Sequence, residues 1–177
     1  MGLGVNYADQ HADSVEYVRE YMRGTNLDEL TWTSDPTYWH VDPNKVYNCF
    51  GFAIGSTKWW QPPSIYGDPE GDPKYYWPEE FLGDSEENTW VSRYVEVAVA
   101  QGFVECGDDS TFEEGFDKIV LVHRGGVFTH ASIQVSADRW KSKLGYLSDL
   151  EHPLDFVFSG CFGKGAIFMK KERVAQA

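Results

Sequence analysis

The chain has 177 residues, of which 42% are hydrophobic and 16% aromatic, which is enough for one core and predicts a single domain over residues 1–177. Its formal net charge of −13 argues against nucleic acid and anionic membranes as partners, because both bind basic protein surfaces. The same acidity favours a basic or neutral substrate over a phosphorylated one.

The three cysteines, Cys49, Cys106 and Cys161, are too few for a disulfide framework and suit a reducing compartment. They lack CxxC spacing, so we expect no metal and no cofactor. No signal peptide is recognisable, and no apolar run is long enough to span a bilayer. The cytoplasm is the default expectation, with export by a specialised secretion system left open.

The helical part of the fold is predicted over residues 1–102. Apolar residues at helical spacing indicate a helix over residues 12–23. An apolar face at i, i+3 and i+4 follows Cys49 and predicts a short helix from there to residue 57. A third helix is predicted over residues 88–101, where Gly102 is placed to end it.

In two stretches between these helices the apolar residues follow neither helical nor strand spacing. Residues 25–45 are irregular, and residues 58–78 form a long loop rich in proline and aromatic side chains. Long loops inside a compact domain are usually functional or disordered. We therefore expect the loop to border a substrate groove through three tryptophans: Trp59, Trp60 and Trp77.

After Gly102 the apolar period changes to two, which predicts an antiparallel sheet over residues 103–171. The predicted strands are 103–106, 117–123, 127–135, 139–143 and 165–171. The segment at 149–153 is interpreted as a turn. Helices followed by strands predict an α+β fold in which N-terminal helices pack on a C-terminal antiparallel sheet.

Cys49 is the candidate nucleophile. It is predicted to lie in the first turn of a helix, where unpaired N–H groups and the helix dipole favour a negative charge. A thiol in that position is expected to have a lowered pKa and more of the reactive thiolate.

A nucleophilic thiol needs a base. Of the five histidines, His130 alone begins a predicted strand whose polar face continues with small or neutral residues, Ser132 and Gln134. If that strand packs against the Cys49 helix, the imidazole reaches the thiol. His130 is therefore the candidate general base.

Three segments together resemble the NlpC/P60 branch of the papain-like cysteine peptidases. Asn-Cys-Phe-Gly-Phe-Ala at 48–53 is similar to the family's Asp-Cys-Ser-Gly-Phe-Val. Asp-Lys-Ile-Val-Leu at 117–121 resembles its Gly-Asp-Ile-Val-Phe strand, and Thr-His-Ala-Ser-Ile at 129–133 resembles its Ser-His-Val-Gly-Ile. The resemblance covers about residues 45–145 and implies a papain-like fold.

The resemblance also implies further site residues. Its third catalytic residue, a polar side chain on the strand after the histidine strand, falls near Ser142, with His152, Glu151 and Gln134 as rivals. The backbone N–H of Cys49 and the Tyr47 side chain are the implied oxyanion donors. One departure is Asn48, where the family usually has aspartate.

These observations favour a thiol hydrolase that acts on an amide or related acyl bond of a peptide or similar substrate. Murein peptides are the usual targets in the family that the chain resembles, but no cell-wall module or export signal is recognisable here. The alternative is a non-catalytic protein that keeps the fold and binds a protein partner or inhibitor through its aromatic loop.

Overall fold

The centre of the fold is an antiparallel sheet of seven strands, in a computed structural model that describes residues 12–32, 47–63, 75–145 and 147–174. The strands are β1 (Thr31–Trp32), β4 (Val104–Glu105), β5 (Phe116–Arg124), β6 (Val127–Ser136), β7 (Arg139–Lys143), β8 (Asp149–His152) and β9 (Gly165–Glu172). Their spatial order is β1-β8-β7-β6-β5-β9-β4. A separate parallel pair is formed by β2 (Trp59–Trp60) and β3 (Tyr75–Tyr76).

Three α-helices lie among the described residues: α1 (Ala12–Tyr21), α2 (Cys49–Ala53) and α3 (Val91–Ala100). Single 3-10 turns are formed by Leu27–Glu29, Glu79–Phe81 and Glu87–Thr89, and a longer 3-10 segment by Leu154–Phe158. The predicted α+β class is confirmed at this level: a largely antiparallel sheet with few helices.

Apolar residues cover both faces of the sheet. Alternate residues of β5 point to opposite sides, so Leu121 packs with α2 and α3 while Val120 packs with α1. Residues 118–122 of β5 are buried without interruption, as expected for a central strand covered on two faces. The polar residues that matter for the site lie on the α1 side of the sheet.

The start of α2 is fixed by the side chain of the preceding residue, Asn48, which caps the helix. Asn48 Oδ1 accepts a hydrogen bond from the Gly51 N–H at 3.0 Å, as N-cap residues do. The helix was predicted to run to residue 57 but ends at Ala53, because Gly55 takes a left-handed conformation with φ of 78°.

The prediction of a turn at 149–153 is wrong, because those residues form β8. This strand pairs with β7 on one side and with β1, which was not predicted, on the other. Both strands are too short to show a period of two. The partner of β1 is also distant in sequence, whereas β8 forms a hairpin with β7. Residues 33–46, which include the second half of the first irregular stretch, and residues 64–74, within the second, lie outside the described residues.

Strand pairing brings the Cys49 helix to the middle of the sheet. The β6–β7 ladder runs from Ile133 opposite Lys141 to Ser136 opposite Arg139. Beyond that ladder α2 contacts both strands. Cys49 thereby lies beside the part of β6 that carries His130. None of the described helices is both long and apolar enough to cross a membrane.

Candidate functional site

Cys49 and His130 line one cleft of about 360 Å³. Its walls come from α1, α2, β2, α3, β6 and the turn before β9. They are formed by Tyr17, Asn48, Cys49, Trp59, Gln61, Pro62, Asn88, Thr89, Tyr94, Val127, Phe128, Thr129, His130, Leu144, Gly145 and Phe162. None of these lining residues is an aspartate, glutamate, lysine or arginine, although the protein is strongly acidic.

The Cys49 sulfur lies among backbone N–H groups. The amides of Ala131, Phe50 and Cys49 itself donate toward the sulfur and lower its pKa, and so does the charge of Lys143. Burial has the larger effect and raises the pKa of the thiol to about 11. The predicted low pKa is therefore wrong, because α2 has only five residues and desolvation of the thiolate outweighs its N–H donors.

His130 is 2% exposed and is held in position by its neighbours. Its ring stacks on Phe162, with centroids 4.1 Å apart and planes 4° from parallel. The Thr129 hydroxyl donates to the Phe162 carbonyl oxygen and so ties the turn before β9 to β6. Burial and the nearby His152 lower the pKa of His130 to about 3, so the imidazole is neutral at pH 7.

A chain of hydrogen bonds leads away from His130 into the sheet. His130 Nε2 lies 2.9 Å from Ser142 Oγ, and Ser142 Oγ lies 2.6 Å from His152 Nε2. His152 Nδ1 lies 2.8 Å from the Pro153 carbonyl oxygen. The structure therefore brings Ser142 and its rival His152 together in one network.

The last contact determines where each proton lies. The Pro153 carbonyl only accepts, so His152 Nδ1 carries its proton. Burial lowers the pKa of His152 to about 4, so at pH 7 the ring is neutral and its Nε2 is an acceptor. Ser142 then donates to His152 Nε2, and His130 must donate from Nε2 to Ser142.

The consequence is that neutral His130 has its lone pair on Nδ1. This is the ring nitrogen that the network does not use, and the form that can accept a proton from a thiol. Ser132 Oγ, which also contacts Ser142 Oγ, takes the second acceptor position of that hydroxyl. With one donated and two accepted bonds, the Ser142 hydroxyl has no capacity left.

The other rivals for the third site residue lie elsewhere. Gln134 Nε2 donates to the Ser110 carbonyl at 3.0 Å, which directs its side chain along β6 away from His130. The carboxylate of Glu151 lies 3.8 Å from the Arg139 guanidinium. Neither side chain joins the His130–Ser142–His152 network.

Of the predicted groove tryptophans, only Trp59 lines the cleft. Trp60 and Trp77 instead pack against Phe50 in the core. Their large apolar rings explain this, because burying them contributes more to folding than leaving them beside solvent.

Tyr47, predicted as an oxyanion donor, is not among the cleft residues. Its ring stacks on Phe52 at 5.7 Å, and Lys143 Nζ lies 5.4 Å from its centre. The tyrosines in the cleft wall are Tyr17 and Tyr94. Burial raises the pKa values of both hydroxyls. Cys161 raises that of Tyr17 further, and the charge of a Cys49 thiolate adds a smaller effect at both.

Sequence reasoning missed three contributors: Tyr17, Phe162 and the Ala131 N–H. Each comes to the thiol or the imidazole through tertiary packing, and none has a local pattern that marks it. Across the described ranges, no group of three or more His, Cys, Asp or Glu side chains is arranged to hold a metal ion.

Residues 38–170 match the family model of a domain of unknown function, DUF7689. The match covers well over half of the chain. The chain belongs to the DUF7689 family. No curated protein and no solved structure gives a significant match. Cys49, His130, Ser142 and His152 all fall inside the DUF7689 range.

Proposed function

We propose that the protein is a thiol hydrolase that cleaves an amide or related acyl bond with Cys49 as nucleophile and His130 as general base. One observation carries the proposal. The His130–Ser142–His152–Pro153 chain orders the protons so that the imidazole sharing a cleft with Cys49 presents an unprotonated Nδ1.

In the proposed reaction His130 Nδ1 takes the thiol proton while the sulfur attacks the carbonyl carbon of the substrate. The tetrahedral intermediate collapses to a thioester on Cys49, and His130 returns the proton to the leaving amine. Water then attacks the thioester, with His130 again as base, and releases the acid and the thiol. His130 keeps its Nε2 proton and donates it to Ser142 throughout, so the imidazolium that forms transiently is oriented and not neutralised.

The proposed oxyanion donors are the Cys49 N–H and the Tyr17 hydroxyl. The Cys49 amide lies at the sulfur. Tyr17 replaces Tyr47 in this role because it lines the cleft, while its hydroxyl lies 3.5 Å from Cys161 Sγ. A raised pKa keeps the hydroxyl protonated, which a donor requires.

The proposal includes the papain-like architecture that the sequence resembles. Cysteine at the start of a helix, followed along the chain by histidine on a strand that the helix contacts, supports this arrangement. Here the third residue is a serine backed by a second histidine, and Asn48 takes the place of the usual aspartate.

The cleft favours a neutral substrate segment. Its described walls contain apolar and uncharged polar side chains, including Trp59, Gln61, Pro62 and Leu144. A charged group at the scissile bond would lose hydration without gaining a partner there. We therefore propose a peptide or acyl compound that is uncharged next to the cleaved bond.

Turnover of a panel of neutral peptide amides, thioesters and activated esters tests this function. We expect wild type to release product, and Cys49→Ala and His130→Asn to lose that activity. Cys106→Ser, at a thiol outside the cleft lining, is the matched control and should retain it. Product release that persists in Cys49→Ala would contradict the proposal.

A second candidate is a binding protein that keeps this fold without turnover. The observation favouring it is the burial that raises the thiol pKa to about 11 and leaves little thiolate at pH 7. Under this alternative the panel gives no product with wild type, and a neutral ligand still protects Cys49 from alkylation.

A further inference from the structure

The network around His130 does not use Lys143, although this lysine lies near the start of the Cys49 helix. It is the last residue of β7 and is 0% exposed. Lysine is almost never fully buried unless its charge is used or paired. A methionine of similar length would fill the same space without that desolvation cost.

Two contacts hold the Lys143 ammonium near the first residue of the Cys49 helix. Nζ donates to the Gly145 carbonyl oxygen and lies 5.4 Å from the centre of the Tyr47 ring, two residues before Cys49. Asp149 lies directly across the β7–β8 ladder and is itself buried. The ammonium is thus held between the Tyr47 ring and the Gly145 carbonyl, at the edge of the cleft.

We infer that Lys143 is an electrostatic positioning residue that stabilises the Cys49 thiolate in place of an imidazolium. His130 cannot supply a resting positive charge, because it is buried and neutral. Lys143 is not among the cleft residues, so it acts through the sulfur and does not touch the substrate. Its relevance to catalysis rests on the proposed function, but the charge coupling itself does not.

Three other titratable groups around the thiol stay neutral between pH 6 and 9. His130 on β6 has a pKa of about 3, and burial raises the pKa values of Tyr17 on α1 and Tyr94 on α3. Burial lowers the pKa of Lys143 to about 8, opposed by the charges of Asp149 on β8 and of Cys49. Among these four groups, Lys143 is the one whose charge changes in this range.

The coupling predicts a distinctive pH profile for alkylation of Cys49. Below about pH 8 the rate rises with pH as the thiol ionises beside a charged ammonium. Above pH 8 the ammonium loses its proton, thiolate support is lost, and the rise flattens into a shoulder. An arginine stays charged, so Lys143→Arg should show no shoulder.

The test measures iodoacetamide alkylation of Cys49 by peptide mass spectrometry from pH 6 to 10. At pH 7 we expect Lys143→Met to react about tenfold more slowly than wild type, because losing an adjacent cation raises a thiol pKa by about one unit. Lys143→Arg should react at least as fast as wild type. The matched control is Lys141→Met, on the same strand and half-buried, which should leave the rate unchanged.

A wild-type profile without a shoulder, or equal rates in wild type and Lys143→Met, would overturn the inference. The wild-type profile and Lys143→Arg decide the question even if Lys143→Met does not fold. A wrong hydrolase proposal would give a different result: wild type would release no product in the substrate panel, but its alkylation profile would still show the shoulder.

Discussion

At the scale of single residues, the site depends on one hydroxyl. Ser142 lies between two histidines and beside Ser132, and its three contacts match the one proton and two lone pairs of an alcohol. Aspartate or asparagine usually orients the histidine in such sites, but here the order is imposed from the Pro153 carbonyl through His152. Two neutral, buried rings are thereby given defined tautomers.

Replacing Ser142 with alanine should therefore disturb His130 more than the thiol. We expect acylation of Cys49 to slow by at least about tenfold, because an imidazole in the wrong tautomer cannot accept the proton. The free energy of unfolding should fall by about 1–3 kcal/mol, since buried polar atoms of both histidines lose their partner.

The ¹⁵N shifts of the His130 ring measure the tautomer directly. In wild type they should show a proton on Nε2, and in Ser142→Ala a mixture of the two forms. The matched control is Ser132→Ala. It removes the contacts of Ser132 to Ser142 and, at 3.4 Å, to His130 Nε2, and it leaves the His130–Ser142–His152 path in place. A wild-type proton on Nδ1 would contradict the proposed proton order.

At the scale of secondary structure, Asn48 joins the short α2 helix to β2. Its Oδ1 caps the helix and also accepts from the Trp60 N–H at 3.2 Å, while its Nδ2 donates to the Trp60 carbonyl at 2.6 Å. The amide donor is thus in use. Aspartate, which the NlpC/P60 pattern that the sequence resembles has at this place, would lack that donor.

The substitution Asn48→Asp should consequently destabilise the protein, although it introduces the residue of the NlpC/P60 pattern that the sequence resembles. A carboxylate cannot donate to Trp60, and it would place a partly desolvated charge against a carbonyl oxygen. We expect a loss of about 2 kcal/mol in urea unfolding. Asn26→Asp is the matched control, because the exposed Asn26 caps a 3-10 turn through its acceptor oxygen alone. Equal stability of wild type and Asn48→Asp would refute this explanation.

Helices and strands in which apolar residues recur at regular spacing could be predicted from the sequence. This holds for α1, α3 and the longer strands β5, β6, β7 and β9, whose bounds differ from the predicted ones by a few residues at most. The two-residue strands β1, β2 and β3 could not, because their hydrogen bonds come from segments distant in sequence. β8 was mistaken for a turn because its four residues are too few to show the alternation of a strand.

The site divides in the same way. Cys49 and His130 could be selected by their order and local context. Ser142 and His152 were named only as alternatives for the third site residue. That both join one network with His130 could not be predicted, because it depends on the β7–β8 register that places Trp140 opposite His152. The state of the thiol was predicted with the wrong sign, since a local helix-start argument omits the desolvation imposed by the surrounding fold.

At the scale of the whole molecule, the two buried histidines link the site to stability. Both rings are neutral in the folded protein, with pKa values of about 3 for His130 and about 4 for His152. In the unfolded chain a histidine takes up its proton near pH 6.5. The unfolded state therefore binds more protons below that pH, and this favours unfolding.

The contribution of these two histidines to stability should accordingly be complete above about pH 6.5 and be lost as the pH falls toward 4. Each histidine contributes up to about 1.4 kcal/mol per pH unit within this window. Urea unfolding at pH 7.5, 6 and 5 measures the slope. In His152→Asn the slope should be about half that of wild type, and an unchanged slope would show that His152 is not buried in its neutral form.

The central claim is that Cys49 and His130 act as one nucleophile–base pair, and site-resolved acylation tests it most directly. Wild type, His130→Asn and Cys49→Ala are treated briefly with a p-nitrophenyl ester of a small neutral acid, and peptide mass spectrometry locates the thioester. We predict a thioester on Cys49 that forms about 100-fold more slowly in His130→Asn, as expected for loss of a general base. Equal acylation of Cys49, Cys106 and Cys161, or acylation of Cys49 that does not depend on His130, would contradict the claim.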